Sequence, residues 1–212
     1  MTTPSRALVL QVQDLSFAYP DQPALAARWS ARVPAGITLL HGDTGSGKST
    51  LLRLLAGTQT VDGRLTLGGV RFDADPVAYR RRVFWHEPGT DAFDQLTPRA
   101  LASAACADSD RLDEAAWQRH AEGFGLTPHL HKALYMLSTG SRRKAMLAAA
   151  LASGCALTLL DEPAGALDAA SIAYLWKALD ACALPPDRAI VVASSEHLNA
   201  LPLAATIELP LS

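Results

Sequence analysis

Apolar and polar residues alternate from Leu8 to Val12, which predicts a strand, and Pro20-Asp21 marks a turn after Leu15-Ser16-Phe17-Ala18-Tyr19. Val33-Pro34-Ala35-Gly36 predicts a further turn. It leads into Ile37-Thr38-Leu39-Leu40-His41, a short and almost unbroken apolar run of the kind found in strands covered on both faces. From Ser49 to Ala56 the period changes: leucines recur at helical spacing, and Gly57 stands where a helix stops. Residues Gly63 to Phe72 predict two short antiparallel strands around Gly68-Gly69. Between 96 and 135 the patterns are alanine-rich, charged and helical, with no convincing strand. Two more covered strands are predicted at Ala156–Leu160 and Ala189–Ala193, with a helical stretch from Ala169 to Cys182 between them. Covered strands separated by helices point to parallel neighbours, because a parallel pair needs a long crossover connection that a helix supplies.

Length and charge narrow this picture. A chain of 212 residues fits a single domain. Lys plus Arg is 19 and Asp plus Glu is 21, a net charge of −2, which argues against nucleic acid as a partner. The longest apolar stretch, Ala145 to Leu160, is broken by Ser153, Gly154 and Thr158 and then meets Asp161-Glu162. It falls short of the ~18 residues a membrane span needs. Met1 to Arg6 carry neither the positive cluster nor the apolar block of an export signal, so a cytoplasmic location is expected. Cys106, Cys155 and Cys182 lie far apart in no metal-ligand spacing and are expected as reduced, buried small side chains.

Chemistry concentrates in Gly42-Asp43-Thr44-Gly45-Ser46-Gly47-Lys48-Ser49, between a predicted strand and a predicted helix. Glycines there allow successive amide N–H groups to turn inward at a helix N-terminus, a concave set of donors suited to phosphate. Lys48 is placed to reach the β- and γ-phosphates of ATP and Ser49 to offer its hydroxyl to Mg²⁺, with Thr50 beside it. Asp161-Glu162-Pro163 leave the strand at 156–160 at its carboxyl end, where open α/β sheets place ligands. Successive residues leaving a strand point to different sides. Asp161 is therefore expected to orient the metal's hydration shell, and Glu162 to act as general base on the water that attacks the γ-phosphate.

Between these stretches lies Leu137-Ser138-Thr139-Gly140-Ser141-Arg142-Arg143-Lys144, ahead of a helix running to about Ser153. It resembles the signature of the ATP-binding cassette (ABC) ATPase family, Leu-Ser-Gly-Gly-Gln, matching at Leu137, Ser138 and Gly140 and departing at Thr139 and Ser141. The interval of 24 residues from Leu137 to Asp161 is similar to the family's, and Gly165-Ala166-Leu167-Asp168 stands at the offset of its Ser-Ala-Leu-Asp. Tyr19 stands where the family has an aromatic that stacks on adenine. The resemblance runs from Leu8 to Leu209.

What the resemblance implies is an α/β fold: a P-loop NTPase core with a mostly parallel sheet, an N-terminal antiparallel β subdomain and an inserted helical subdomain. Residues 1–87 and 145–212 would form the core with its β subdomain, and 88–144 the helical part ending in the signature. Two cassettes would pair head to tail, as a homodimer or with a second cassette. ATP would be bound by the phosphate loop of one chain and by signature residues Leu137, Ser138 and Gly140, together with Asp168, from the pairing. A separate membrane permease would dock on the helical region, holding this chain peripherally on the cytosolic face. The small size and His86-Glu87-Pro88-Gly89 are similar to the haem-exporter cassettes of cytochrome c maturation.

Three departures fall where the family is most chemical. In Val83-Phe84-Trp85-His86-Glu87-Pro88, Glu87 replaces a glutamine that contacts Mg²⁺ and the attacking water; a carboxylate still accepts from metal-bound water but adds negative charge beside the phosphates. Ser195 stands where the family has a histidine at the γ-phosphate, and His197, two residues on, is either its substitute or a surface histidine. Thr139 puts a side chain where the signature has bare backbone. These changes point to slow or strictly partner-dependent turnover and leave open a degenerate, regulatory ATP-binding cassette; a P-loop kinase acting on a small molecule is a further alternative, against which the stretch at Leu137 and the Asp161-Glu162 pair speak. Arg142, Arg143 and Lys144 are expected on the solvated face of the signature helix. Trp29, Trp85, Trp117 and Trp176 are expected in packing rather than on nucleotide.

Overall fold

The apolar run at Ile37 becomes β3 (Gly36–His41), and the other two runs become β7 (Leu157–Asp161) and β8 (Ala189–Ser194). Every residue of β8 is buried, as a strand covered on both faces requires. The computed structural model describes residues 6–60, 62–87, 89–106, 111–183 and 185–211. Residues 1–5, in which no export signal was read, and Pro88 of the His86–Gly89 stretch lie outside the described residues. β3, β7 and β8 pair in parallel in the order β7-β8-β3, as their sequence pattern predicts. The two-residue β6 (Val83–Phe84) extends this sheet beyond β7, and β9 (Leu203–Glu208) closes its other side beside β3.

A second sheet is antiparallel and holds β1 (Leu8–Phe17), β2 (Ala26–Pro34), β4 (Asp62–Leu67) and β5 (Val70–Arg71), in the order β2-β1-β4-β5. Its last pair is the hairpin expected around Gly68-Gly69. The strand read as ending at Val12 runs on to Phe17, and β2 occupies a stretch with no strand expectation. β2 is hard to read because its register with β1 shifts at three places and Arg28 takes φ 56, which breaks the two-residue alternation. The turn expected at 33–36 is tighter than its sequence suggests. β2 reaches Pro34, Ala35 N–H donates to the Ala7 carbonyl at 2.8 Å, and Gly36 (φ 108) already starts β3.

The described residues also form six α-helices, α1 (Lys48–Ala56), α2 (Pro76–Arg80), α3 (Pro98–Ala105), α4 (Glu114–Gly123), α5 (Thr139–Ala152) and α6 (Ala169–Cys182), and two short 3-10 turns at Thr127–His129 and Leu134–Met136. The pleat of the parallel sheet sorts its side chains into two cores. Ile37, Leu39, Ile190 and Val192 face the cluster with Leu101, Trp117, Ala148 and Leu175 of α3 to α6. Leu40, Val191 and Ala193 face the cluster with Leu51, Leu54 and Leu55 of α1 and with Val12 and Leu65 of the antiparallel sheet. α1 is therefore clamped between two sheets, and its N-terminus opens at the carboxyl ends of β3, β7 and β8. No described helix is long and apolar enough to cross a membrane.

Candidate functional site

β3 ends at His41 and α1 begins at Lys48, so the loop between them must reverse direction in six residues. Gly45 (φ 82) and Gly47 (φ 101) take the left-handed backbone this needs. A Cβ on Gly47 would also lie 2.4 Å from Leu25 Cδ1. Gly47 caps α1 without any side-chain hydrogen bond, leaving the first-turn amides free for a ligand. The Asp43 carbonyl accepts from Ser46 N–H at 3.1 Å and closes the loop. Lys48 is 6% exposed, and its ammonium donates to the carbonyls of Gly42 (2.7 Å) and Asp43 (3.1 Å) while lying 3.3 Å from Glu162 Oε1. A buried cation held this way is desolvated yet partnered and aimed into the loop's concavity.

The carboxyl end of β7 meets this loop from the other side. Ser49 Oγ donates to Asp161 Oδ2 at 2.6 Å. Glu162 leaves the strand with φ 42, a left-handed backbone that costs a non-glycine residue about 1 kcal/mol. Its conformation is pinned at both ends. Glu162 N–H donates to the Ala193 carbonyl at 2.9 Å, and its own carbonyl accepts from Gly165 N–H at 3.1 Å and from Arg143. Glu162 Oε1 accepts from Ser195 N–H at 3.0 Å. Thr44, Gly45, Gly47, Lys48, Ser49, Thr50, Asp161, Glu162 and Ser195 thus line one cavity of about 390 Å³.

Two hard oxygen donors touching at the mouth of a phosphate loop suit Mg²⁺, which takes few protein ligands and keeps several waters. Among the described residues no group of three or more His, Cys, Asp or Glu forms a metal cage. Ser49 and Asp161 would therefore hold the ion together with phosphate oxygens and water. Glu87 is turned elsewhere: its Oε1 accepts from Arg53 Nε at 2.8 Å and Nη2 at 2.6 Å, and that hydrogen bond holds its carboxyl below the usual range.

The remaining sequence-derived positions fall outside the cavity. Tyr19 packs edge-on against Phe17, with its hydroxyl 3.3 Å from Thr50 Oγ1, beside the loop and partly exposed. His197 stacks on His41 at 4.0 Å between ring centroids, and His41 Nδ1 lies 2.8 Å from Glu208 Oε2. Leu137 is buried, whereas Ser138 caps α5 at the surface by accepting from Ser141 N–H at 3.2 Å. A Cβ on Gly140 would lie 2.7 Å from the Ala166 carbonyl, so the start of α5 rests directly on the loop that carries Asp168. Asp168 in turn caps α6, accepting from Ser171 N–H at 2.8 Å.

The basic run on α5 departs from its sequence expectation of a solvated face. Arg142 donates to the Leu137 and Tyr135 carbonyls and pairs with Asp94 at 3.3 Å. Arg143 donates to the Asp161 and Glu162 carbonyls, and Lys144 lies 2.6 Å from Asp168 Oδ2. All three cations tie the signature helix to elements that bear site residues. Arg53, which belongs to none of the motifs, stands four residues after Ser49 and so on the same face of α1.

A model of the ABC transporter family matches residues 29–165. The chain is 37% identical over 174 residues to the cytochrome c biogenesis ATP-binding export protein CcmA of Rhodospirillum rubrum, spanning 81% of this chain and 74% of that protein. It is 32% identical over 174 residues to the phosphate import ATP-binding protein PstB of Salinibacter ruber, spanning 75% of this chain and 70% of that one. Among solved structures, an ATP-binding subunit of an ABC transporter superposes with a TM-score of 0.75 at 25% identity, covering 91% of this chain and 80% of its own. The family match takes in more than half of the chain and agrees with the order of loop, strand and helix described above, so this chain belongs to the ABC transporter family, among its ATP-binding cassettes.

Proposed function

We propose that this chain binds and hydrolyses ATP, with Mg²⁺, to energise a separate membrane permease. The observation that carries this reading is the meeting of the uncapped N-terminus of α1, Lys48 and Ser49 with Asp161 and Glu162 in one cavity. The amides and Lys48 neutralise the phosphates, Ser49 and Asp161 orient the ion, and Glu162 accepts a proton from the attacking water. Bound ion supplies charge neutralisation of the phosphate oxygens. Leu137, Ser138 and Gly140 lie outside the cavity of their own chain, and Ser138 is exposed, as expected if the start of α5 serves the nucleotide of a paired cassette. That pairing, head to tail with a second copy or another cassette, belongs to the proposal. So do a helical unit over 88–144, docking of a permease upon it and a peripheral place on the cytosolic face of a membrane.

A second reading, an ATP-binding regulatory cassette with little turnover, draws on two observations. Glu87 is bound to Arg53, and His197 lies against His41 rather than in the phosphate cavity. Phosphate release from ATP by the purified chain, alone and with its permease, decides between them. Wild type is expected to hydrolyse without any added acceptor, which also separates it from a small-molecule kinase. Glu162→Gln is expected to lose activity by about a hundredfold or more, the size of a general-base contribution. Lys48→Ala is expected to lose ATP binding itself. Equal hydrolysis by wild type and Glu162→Gln in every setting refutes the catalytic assignment, and unchanged ATP affinity in Lys48→Ala refutes the whole site.

A further inference from the structure

The Arg53–Glu87 pair joins α1, the helix whose N-terminus forms the phosphate loop, to the loop that follows β6. Arg53 is the basic residue of the last turn of α1, where the negative end of the helix dipole favours a cation. It stands four residues after Ser49, so its side chain starts ~5–6 Å from that of Ser49 on one face of the helix. Nε and Nη2 both converge on Glu87 Oε1, at 2.8 and 2.6 Å. Glu87 raises the Arg53 pKa and Arg53 lowers that of Glu87, in each case chiefly through this hydrogen bond. Neither side chain lines the phosphate cavity, and Lys48, the buried cation of that cavity, lies against Glu162. A lone carboxylate on the loop beside α1 would add negative charge on the side of the helix that carries Ser49 and repel the ATP phosphates.

We infer that Arg53 is the built-in counter-ion of Glu87. It holds the carboxylate away from the Ser49–Asp161 oxygens and closes it into a neutral pair that persists when Mg²⁺-ATP binds. Arg53 is thus a positioning residue acting through Glu87, not a phosphate ligand, and the inference rests on the ATP-binding reading of the cavity. One chemical consequence is specific: the harm done by removing Arg53 should vanish when Glu87 is made neutral.

The test is a double-mutant cycle on the full chain, reading ATP affinity by titration calorimetry across a series of Mg²⁺ concentrations. Arg53→Gln is expected to weaken ATP binding about tenfold, as for a charge left without its partner near the phosphates, and to raise the Mg²⁺ needed for half-saturation. In the Glu87→Gln background the same change is expected to alter affinity by less than about twofold. Arg53→Lys keeps the charge and is expected to stay close to wild type. Equal weakening in both backgrounds, or no weakening in either, overturns the inference. If Arg53→Gln fails to fold alone, recovery of folding and ATP affinity together in the double variant supports it, and recovery of folding without affinity overturns it. Lys48→Ala, measured alongside, separates this failure from failure of the ATP reading: loss of binding there with no Arg53 effect condemns only the counter-ion.

Discussion

His120 is buried on α4, with Nδ1 3.0 Å from the Tyr174 hydroxyl and Nε2 3.9 Å from Cys182 Sγ. Burial, with help from Arg119 and Arg188, brings its pKa from 6.5 down to about 4. An unfolded histidine takes up a proton as pH falls below 6.5, while the folded one waits until about 4, so the unfolded state binds more protons within that window. The stability this residue contributes is complete above 6.5 and is lost as pH falls through the window, by at most about 1.4 kcal/mol per pH unit. Urea unfolding at pH 7 and pH 5 is expected to show a larger loss for wild type than for His120→Gln; an equal loss would assign the acid sensitivity to another group. Such residues are invisible to motif reading. The proposed roles of Lys48, Ser49, Asp161 and Glu162 are legible in the sequence because phosphate chemistry ties residue type to spacing, and the fold brings the four into one cavity. Arg53 and Arg143 are not legible, because their partners, Glu87 and the carbonyls of residues 161 and 162, are remote in sequence.

At the level of elements, legibility followed burial. β3, β7 and β8 lie at the middle of their sheet and announce themselves as apolar runs, whereas β2, β6 and β9 are edge, bulged or two-residue strands whose sequences carry little pattern. Helix starts are partly readable: Asp168, which the family resemblance places at the nucleotide, is the cap of α6. Its side chain accepts from Ser171 N–H at 2.8 Å and from Ser171 Oγ at 3.0 Å, and Lys144 holds its carboxyl far below the usual range. Asp168→Ala is expected to destabilise the fold, the usual effect of losing a helix cap. Asp168→Asn keeps the cap and loses only charge, so chemical denaturation should find it close to wild type. A loss as large in Asn as in Ala would move the stabilisation from the cap to the exposed ion pair with Lys144, which ordinarily contributes little.

For the whole molecule, the phosphate cavity and the surface start of α5 sit apart within one chain, which makes assembly part of the proposed chemistry. Light scattering of Glu162→Gln is expected to show a dimer with ATP and Mg²⁺ and a monomer with ADP; a monomer under both conditions would refute nucleotide-driven pairing. The helical insertion and the antiparallel sheet were anticipated from resemblance, while the two cores on either side of the parallel sheet emerge only from the pleat of β3 and β8. β3 also has a consequence for biosynthesis. Its hydrogen-bonded neighbours are β8 and β9, and His41 meets Glu208 across 167 residues of chain. Until residues 189–208 have been synthesised, the phosphate-loop motif therefore follows a strand whose hydrogen-bonded partners do not yet exist. Contacts over such separations close slowly, and a ligand that binds only the folded loop stabilises the fold that those late-made strands complete.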